Sequence, residues 1–353
     1  MENKSLLIIG SGYYTLGDKK NFGCILSSVI QWIKENNLNT ENFKIDILIK
    51  DKKNLTYKTK LIKKHISYLK KKINFEFILL NKIKKDYSAC IIATPEDYHY
   101  FYASKIIKKK IPVMCVKPFG KNTSECKKII NLSQKYKTKV YIDFHKRYDK
   151  ANLNIGSTIL KNSNLNYQII INYSQPSNVP NITFAKWAHK TNPFQFLAPH
   201  YLDLLNLWFK PRRFSLEATA IKRIKNGKKN YDAVSVLMNF KKGKNTVAVS
   251  INCNWIEPLN FFQKSRQNVE IITNKFHIYS DQACRGYTKL SDDGYIEPNN
   301  YFTFFSENNF SGYGYESFKN FFDQIYLNKK RNLVELNEHI FVSKVLDQVN
   351  KKI

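Results

Sequence analysis

From Ser5 to Phe144 the chain alternates short apolar runs with segments of helical spacing, and this alternation restricts the fold more than any other feature. Ser5-Leu6-Leu7-Ile8-Ile9 reads as a strand, Gly23 to Glu35 as a helix and Lys44 to Ile49 as a second strand. Leu61 to Lys71 then reads as a helix and Phe75 to Leu80 as a short strand. Ala89 to Ala93 is apolar without interruption, the pattern of a strand buried on both faces of a parallel sheet. Glu96 to Lys109 follows as a helix, Val113 to Val116 as a strand, Thr123 to Lys135 as a helix and Lys139 to Phe144 as a strand. The expected fold is α/β: a doubly wound parallel sheet over residues 1–146.

After Tyr148 the rhythm changes. Strand-like segments fall near Asn166 to Tyr173, Ser215 to Arg223, Ala233 to Phe240, Thr246 to Asn254 and Val269 to Thr273, with few helices between. Two helix candidates, Tyr315 to Tyr326 and Leu336 to Lys351, close the chain. Residues 147–353 therefore read as an α+β domain with a largely antiparallel open sheet. A length of 353 residues suits two domains, and an aromatic content of 14% excludes a disordered chain. No stretch approaches the ~20 apolar residues of a membrane span, and the start lacks the features of a signal peptide, so a cytoplasmic protein is expected. Cys24, Cys90, Cys115, Cys126, Cys253 and Cys284 include no CxxC pair and read as reduced core residues; no metal site is expected.

The formal net charge of +30 raises the question of a nucleic-acid partner. Lysines are spread along the whole chain, however, and the dense runs Lys70-Lys71-Lys72 and Lys108-Lys109-Lys110 fall at expected helix ends, where cations suit the dipole. No basic run is interleaved with aromatics in an RNA-binding pattern. The expectation is no nucleic acid; anionic small molecules such as sugar phosphates or nucleotide sugars fit the charge as well.

Three clusters carry chemistry. Gly10-Ser11-Gly12-Tyr13-Tyr14 follows the first strand, where backbone N–H groups can approach a pyrophosphate. Residue 15 is threonine and the next glycines are Gly17 and Gly23, so the loop is longer than GxGxxG. Thr94-Pro95, then His99, follow the buried fourth strand at the edge where dinucleotides bind; His99 also reads as an ordinary helix-surface histidine. Lys117, fixed by Pro118, ends the fifth strand and can reach a substrate hydroxyl, although in a lysine-rich chain it also reads as a solvated side chain. Near the second strand, Asp51 points to NAD and its neighbours Lys50, Lys52 and Lys53 to NADP; NAD is favoured.

Taken in order, Gly10-Ser11-Gly12, Ala93-Thr94-Pro95 with His99, Val116-Lys117-Pro118 and Phe144-His145-Lys146-Arg147-Tyr148 resemble the Gfo/Idh/MocA oxidoreductases, the family of glucose–fructose oxidoreductase and inositol dehydrogenase. The resemblance continues through Asn192-Pro193-Phe194-Gln195, His200-Tyr201-Leu202-Asp203, Asn254-Trp255 and Phe310-Ser311-Gly312-Tyr313-Gly314-Tyr315. It implies an N-terminal Rossmann domain that binds NAD or NADP and a C-terminal domain that binds substrate. It also implies oligomers, dimers or tetramers, formed through the open sheet. It implies that Lys117 contacts the reacting hydroxyl and His200 accepts its proton. Gly10, Ser11, Gly12, Tyr13, Tyr14, Asp51, Thr94, Pro95, His99 and Lys117 would surround the cofactor. His145, Trp187, Lys190 and Asn192 are candidates for the substrate pocket.

Two positions depart from the family. Its Glu-Lys-Pro motif reads Val116-Lys117-Pro118, and Phe196 stands where many members carry an aspartate four residues before the histidine. The implied activity is hydride transfer between nicotinamide and a carbinol of a sugar, cyclitol or nucleotide sugar. A redox-neutral enzyme that retains its NAD, and a catalytically silent dinucleotide-binding protein, are the alternatives the departures leave open.

Overall fold

The computed structural model of the chain describes residues 4–183, 185, 188–225, 228–259, 265–282, 289–291, 294–296 and 302–353. The chain forms two compact units, Met1–Tyr148 with Tyr301–Ile340, and Asp149–Asn300 with Phe341–Ile353. A single cut at 146/147 does not anticipate the return of residues 301–340 to the first unit.

The first unit is built on parallel strands β1 (Lys4–Ile9), β2 (Phe43–Leu48), β3 (Asn74–Ile78), β4 (Ala89–Ile92), β5 (Val113–Val116) and β6 (Val140–Asp143). Their order is β3-β2-β1-β4-β5-β6, the doubly wound sheet expected from the alternation. β1 pairs with β2 on one side and β4 on the other, so the winding reverses there and leaves a crevice at the strands' carboxyl ends. Leu6 to Ile9 and Ala89 to Ile92 are wholly buried. Covered on both faces, such strands admit no polar alternation, which is why their sequences are continuous apolar runs.

The helices of this half are α1 (Tyr13–Leu16), α2 (Cys24–Glu35), α3 (Leu55–Leu69), α4 (His99–Ile107) and α5 (Thr123–Tyr136). The long glycine loop resolves into a separate short helix. Thr15 and Leu16 N–H donate to the Gly12 carbonyl, and Gly17 bridges Phe22 before α2 begins. His65 of α3 fixes the entry to α2, its Nε2 accepting the Gly23 N–H at 3.0 Å. α5 starts where the Asn122 side chain accepts the Glu125 N–H at 2.9 Å, a cap that satisfies one of the helix's unpaired donors.

The second unit contains α6 (Lys150–Lys161), β7 (Tyr167–Pro176), α7 (Pro193–Leu197), α8 (Pro199–Phe209), β8 (Phe214–Lys225), β9 (Lys228–Lys242), β10 (Asn245–Glu257), β11 (Arg266–Ile272) and β12 (His277–Asp281). The sheet order is β12-β11-β7-β10-β9-β8; β7 and β10 run parallel and the other neighbours antiparallel. Along β10, Val247, Val249, Ile251, Cys253 and Trp255 are buried in alternation, so one face of the sheet is core. From the alternate positions Ile221 and Leu237 are 58% and 61% exposed. The strand-dominated reading of this half did not place α6. Its buried apolar pair, Ile155 and Ile159, spans one turn, too short a pattern to stand out. α8 opens on Pro199 at its first turn, where the missing N–H costs nothing.

α9 (Tyr313–Tyr326) belongs to the first unit and packs on α2. Trp32 Nε1–H donates to Asp323 at 2.8 Å and Tyr315 OH donates to Glu35 at 2.6 Å. Lys319 and Arg331 pair with the same Asp323. The chain ends in α10 (His339–Lys352). Cys24, Cys90, Cys115, Cys126 and Cys253 are buried; Cys284 lies outside the described residues. Among the described residues no helix is long and apolar enough to cross a membrane.

Candidate functional site

At the carboxyl edge of the parallel sheet, Gly10 and Gly12 do different work. Gly10 has φ +118°, and a Cβ there would lie 2.2 Å from the Ala93 carbonyl oxygen, so the loop crosses the exit of β4 with no space for a side chain. Gly12 is exposed, and nothing lies within 4 Å of where its Cβ would stand. Its backbone is open to a ligand. Across the crevice, Thr94 Oγ1 is buried with no hydrogen-bond partner. An open glycine and an orphaned hydroxyl at the switch point fit a dinucleotide. Ser11 is half-buried beside the two glycines and Tyr13 is exposed. Pro95 opens a turn of 3-10 helix, Glu96–Tyr98. Asp51 lies in the turn after β2, its exposed carboxylate accepting the Lys53 N–H at 2.9 Å.

His99 is neither on the surface nor turned toward a ligand. It is 1% exposed; Nδ1 lies 2.8 Å from the Pro118 carbonyl and Nε2 lies 2.7 Å from the Thr94 carbonyl. The ring thereby ties the end of β4 to the end of β5, where the Lys117–Pro118 peptide is cis. Burial pushes its pKa down, against the two carbonyls, which favour the protonated ring. Both nitrogens being engaged with backbone, His99 bears on the cofactor edge by holding Thr94 and Pro118 in place.

Tyr14 also departs from expectation. Its hydroxyl turns inward and donates to Asp143 Oδ2 at 2.8 Å. The same carboxylate accepts Ser317 Oγ–H from α9 at 2.7 Å on Oδ1, and His145 Nδ1 lies 3.5 Å from both Asp143 Oδ2 and the Tyr14 oxygen. Burial alone would raise the Asp143 carboxyl; the His145 charge and the bonds from His145, Ser317 and Tyr14 outweigh it and hold the group below its usual value. Burial and the Asp143 charge push the Tyr14 hydroxyl well up. His145 is pulled down by burial against the raising effect of Asp143, with Lys146 and Lys117 adding to the depression. Sequence reasoning missed Asp143 and Ser317. The available signal was a charged residue ending Val140-Tyr141-Ile142-Asp143, a strand otherwise apolar throughout.

In the second unit, His200 is the second residue of α8 and is buried at 3% exposure. Asn192 serves the backbone instead of a pocket. Its side-chain oxygen accepts the Gln195 N–H at 2.8 Å, capping α7, and its Nδ2–H donates to Asn350 at 2.8 Å. Both ends of the amide are thus occupied within the fold. Phe196 packs its ring 5.9 Å from that of Trp255. Lys190 is exposed at the end of a single 3-10 turn, and Trp187 lies outside the described residues.

Residues 58–144 match the model of an oxidoreductase family with an NAD-binding Rossmann fold, Gfo/Idh/MocA. No curated protein matches the sequence. Among solved structures, scyllo-inositol dehydrogenase from Lactobacillus casei, with bound NAD(H) and scyllo-inositol, is similar at TM-score 0.72 and 13% identity, over 100% of this chain and 97% of that one. Myo-inositol 2-dehydrogenase from Lactobacillus plantarum is similar at TM-score 0.71 and 13% identity, over 99% and 97%. An oxidoreductase from Agrobacterium radiobacter, in complex with NAD+, L-tartaric acid and magnesium, is similar at TM-score 0.67 and 12% identity, over 99% and 96%. At such identities the likeness is one of fold.

Proposed function

We propose that this chain, which belongs to the NAD-binding Gfo/Idh/MocA oxidoreductases through its residues 58–144, is a dehydrogenase acting on a carbinol of a sugar, cyclitol or nucleotide sugar. The observation that carries this reading is the pairing of the open Gly12 backbone with the orphaned Thr94 hydroxyl at the switch point. Bound NAD supplies the hydride acceptor. The backbone of Gly10, Ser11, Gly12 and Tyr13 receives the pyrophosphate. Thr94 and Pro95 border the nicotinamide, and Asp51 takes the adenosine ribose. Lys117 places an ammonium at the end of β5 and stabilises negative charge developing on the substrate oxygen. His200 accepts the hydroxyl proton. Lys190 belongs to the substrate surroundings. The exposed aliphatic residues Ile221 and Leu237 on the open sheet serve subunit contacts.

Calorimetric titration with NAD+, NADH, NADP+ and NADPH tests the cofactor. NAD(H) is expected to bind, and absence of binding by all four refutes the reading. Absorbance at 340 nm with NAD+ and a panel containing scyllo-inositol, myo-inositol and UDP-sugars then tests the reaction. Binding without turnover across the panel would favour a silent dinucleotide-binding protein.

A further inference from the structure

The run Lys108-Lys109-Lys110 suits a helix end, and the fold gives its first member a second setting. Lys108 closes α4 in the first unit, and α4 and α5 leave between them a groove of about 360 Å³. Tyr100, Ser104 and Lys108 line it from α4, and Lys128, Asn131, Leu132 and Lys135 from α5. These spacings of three and four residues make each set one helix face. Three of the seven residues are lysines and none is acidic. From Tyr100 to Lys139 the chain carries eleven lysines and a single acid, Glu125, whose carboxylate accepts the Lys121 N–H at 2.8 Å. Asp97, just before α4, pairs with Lys121 Nζ at 3.0 Å. Elsewhere lysines meet acids, as Lys44 meets Glu76 and Lys319 meets Asp323. Among the described residues Lys108, Lys128 and Lys135 have no ion pair; Lys135 has only the ring of Tyr136, 5.9 Å away. Lys108 and Lys135 stand at helix C-termini, where the dipole favours a cation, but Lys128 is in the body of α5 and gains nothing from it.

We propose that the groove between α4 and α5 is a binding site for a small polyphosphorylated anion, separate from the cofactor crevice. A cleft lined by one sign of charge focuses its field, so an anion is held there more strongly than by the same lysines on an open surface. The volume is that of a small-molecule pocket. Lys128 and Lys135 are seven residues apart on α5, about 10 Å along the helix axis, with Lys108 on the opposite wall. Cations spread over that length match a chain of phosphates better than a single one. The wall also offers neutral donors. Among the described residues neither the Tyr100 hydroxyl nor the Asn131 amide has a hydrogen bond, so both can donate to phosphate oxygens. Ser104 is committed to its own helix, donating to the Phe101 carbonyl at 3.0 Å. α4 and α5 run back from the carboxyl ends of β4 and β5, so Lys108 and Lys135 lie toward the amino edge of the sheet, away from Gly12 and Thr94. The site therefore stands whether or not NAD binds in the crevice.

Calorimetric titration of the NAD-free protein with inorganic tripolyphosphate, in about 50 mM salt to limit screening, tests the site. Tripolyphosphate should bind about 10-fold more tightly than inorganic phosphate, because it meets more than one cation. Lys108→Gln, Lys128→Gln and Lys135→Gln should each weaken it about 5-fold, the loss of one charge pair near the surface, and the triple variant should not bind. All three side chains are exposed, so the variants should fold. Two controls locate the anion. Lys105→Gln removes the same charge from an exposed position on α4 outside the groove, where the ammonium stands 4.6 Å from the Phe101 ring, and should change affinity by less than about 2-fold. Gly12→Val, which obstructs the cofactor loop, should leave tripolyphosphate affinity in place. Backbone amide NMR of the titrated protein should show shifts at Ser104 and Asn131. Absence of binding overturns the proposal. So does equal weakening by Lys105→Gln, which would mean diffuse attraction to a chain of net charge +30. So does loss of binding in Gly12→Val, which would put the anion in the glycine loop. Failure to bind NAD would sink the dehydrogenase reading and leave the tripolyphosphate result standing.

Discussion

Acid should destabilise this protein through two histidines that the fold keeps neutral. His65 and His339 are both fully buried in the first unit. His65 Nε2 accepts the Gly23 N–H, while Nδ1 faces the Leu61 carbonyl at 2.8 Å, so a second ring proton would point at an N–H already there. His339 repeats the arrangement, its Nε2 accepting the Phe119 N–H at 3.1 Å and its Nδ1 buried without a hydrogen-bond partner. Burial lowers His65 to about 4, against the bonds to Leu61 and Gly23. Burial, with the neighbouring His99, lowers His339 to about 3. The unfolded chain titrates near pH 6.5, so above that pH neither histidine changes the balance. As pH falls from about 6.5 toward those folded values, the unfolded state takes up protons that the fold refuses, and stability is lost. At pH 5 each histidine costs about 2 kcal/mol, and the pair lowers Tm by roughly 5 °C relative to pH 7.5. Calorimetric melts from pH 7.5 to 5 in wild type, His65→Gln and His339→Gln measure this. Each glutamine removes one titration, so its acid limb should be shallower by about 2 kcal/mol at pH 5, whatever its stability at neutral pH. Variant curves parallel to wild type would refute the reasoning.

The glycine loop separates folding from binding. Gly10→Ala, forced to φ +118° and onto the Ala93 carbonyl, should cost about 3 kcal/mol or more in urea unfolding, whereas Gly12→Val should cost under about 1 kcal/mol. Gly12→Val should nonetheless abolish NAD binding by calorimetry, and retained affinity would remove the loop from the cofactor site. For the reaction, Lys117→Ala and His200→Ala should each lower kcat by ~10²–10⁴-fold with cofactor affinity nearly intact, and the double variant should be little worse than the worse single. Near-wild-type turnover in both singles would exclude them from proton handling. Leu237→Lys should shift the sedimenting species toward monomer without lowering Tm, if the open sheet face carries the subunit contact.

The sheet was legible because burial on both faces leaves no alternative to continuous apolar runs, and Leu6 to Ile9 and Ala89 to Ile92 satisfy that condition. Val113–Val116 falls where the sequence placed it, and α2 begins one residue late. The return of α9 to the first unit was not legible. Its bonds from Asp323 to Trp32 and from Tyr315 to Glu35 join residues nearly three hundred positions apart, and local periodicity says nothing about a partner at that distance.

The same limit governs the site. Gly10, Gly12 and Thr94 could be placed from sequence because a βα turn after a buried strand fixes their position at the crevice. His99, Tyr14 and Asn192 were found as residues but not in their roles, since a polar side chain near a crevice can turn either toward it or toward the backbone. His99 and Asn192 turn to backbone groups that would otherwise go unpaired, and burying such a group without a partner costs about 1–3 kcal/mol. Tyr14 turns to Asp143 for the converse reason: a buried carboxylate needs donors, and Tyr14, Ser317 and His145 are the groups within reach. Absence of the motif carboxylates at 116 and 196 thus describes single positions along the chain, whereas the sheet register brings in a carboxylate from the next strand. The Val116–Asp143 pairing places a carboxylate in register with the position of the missing glutamate.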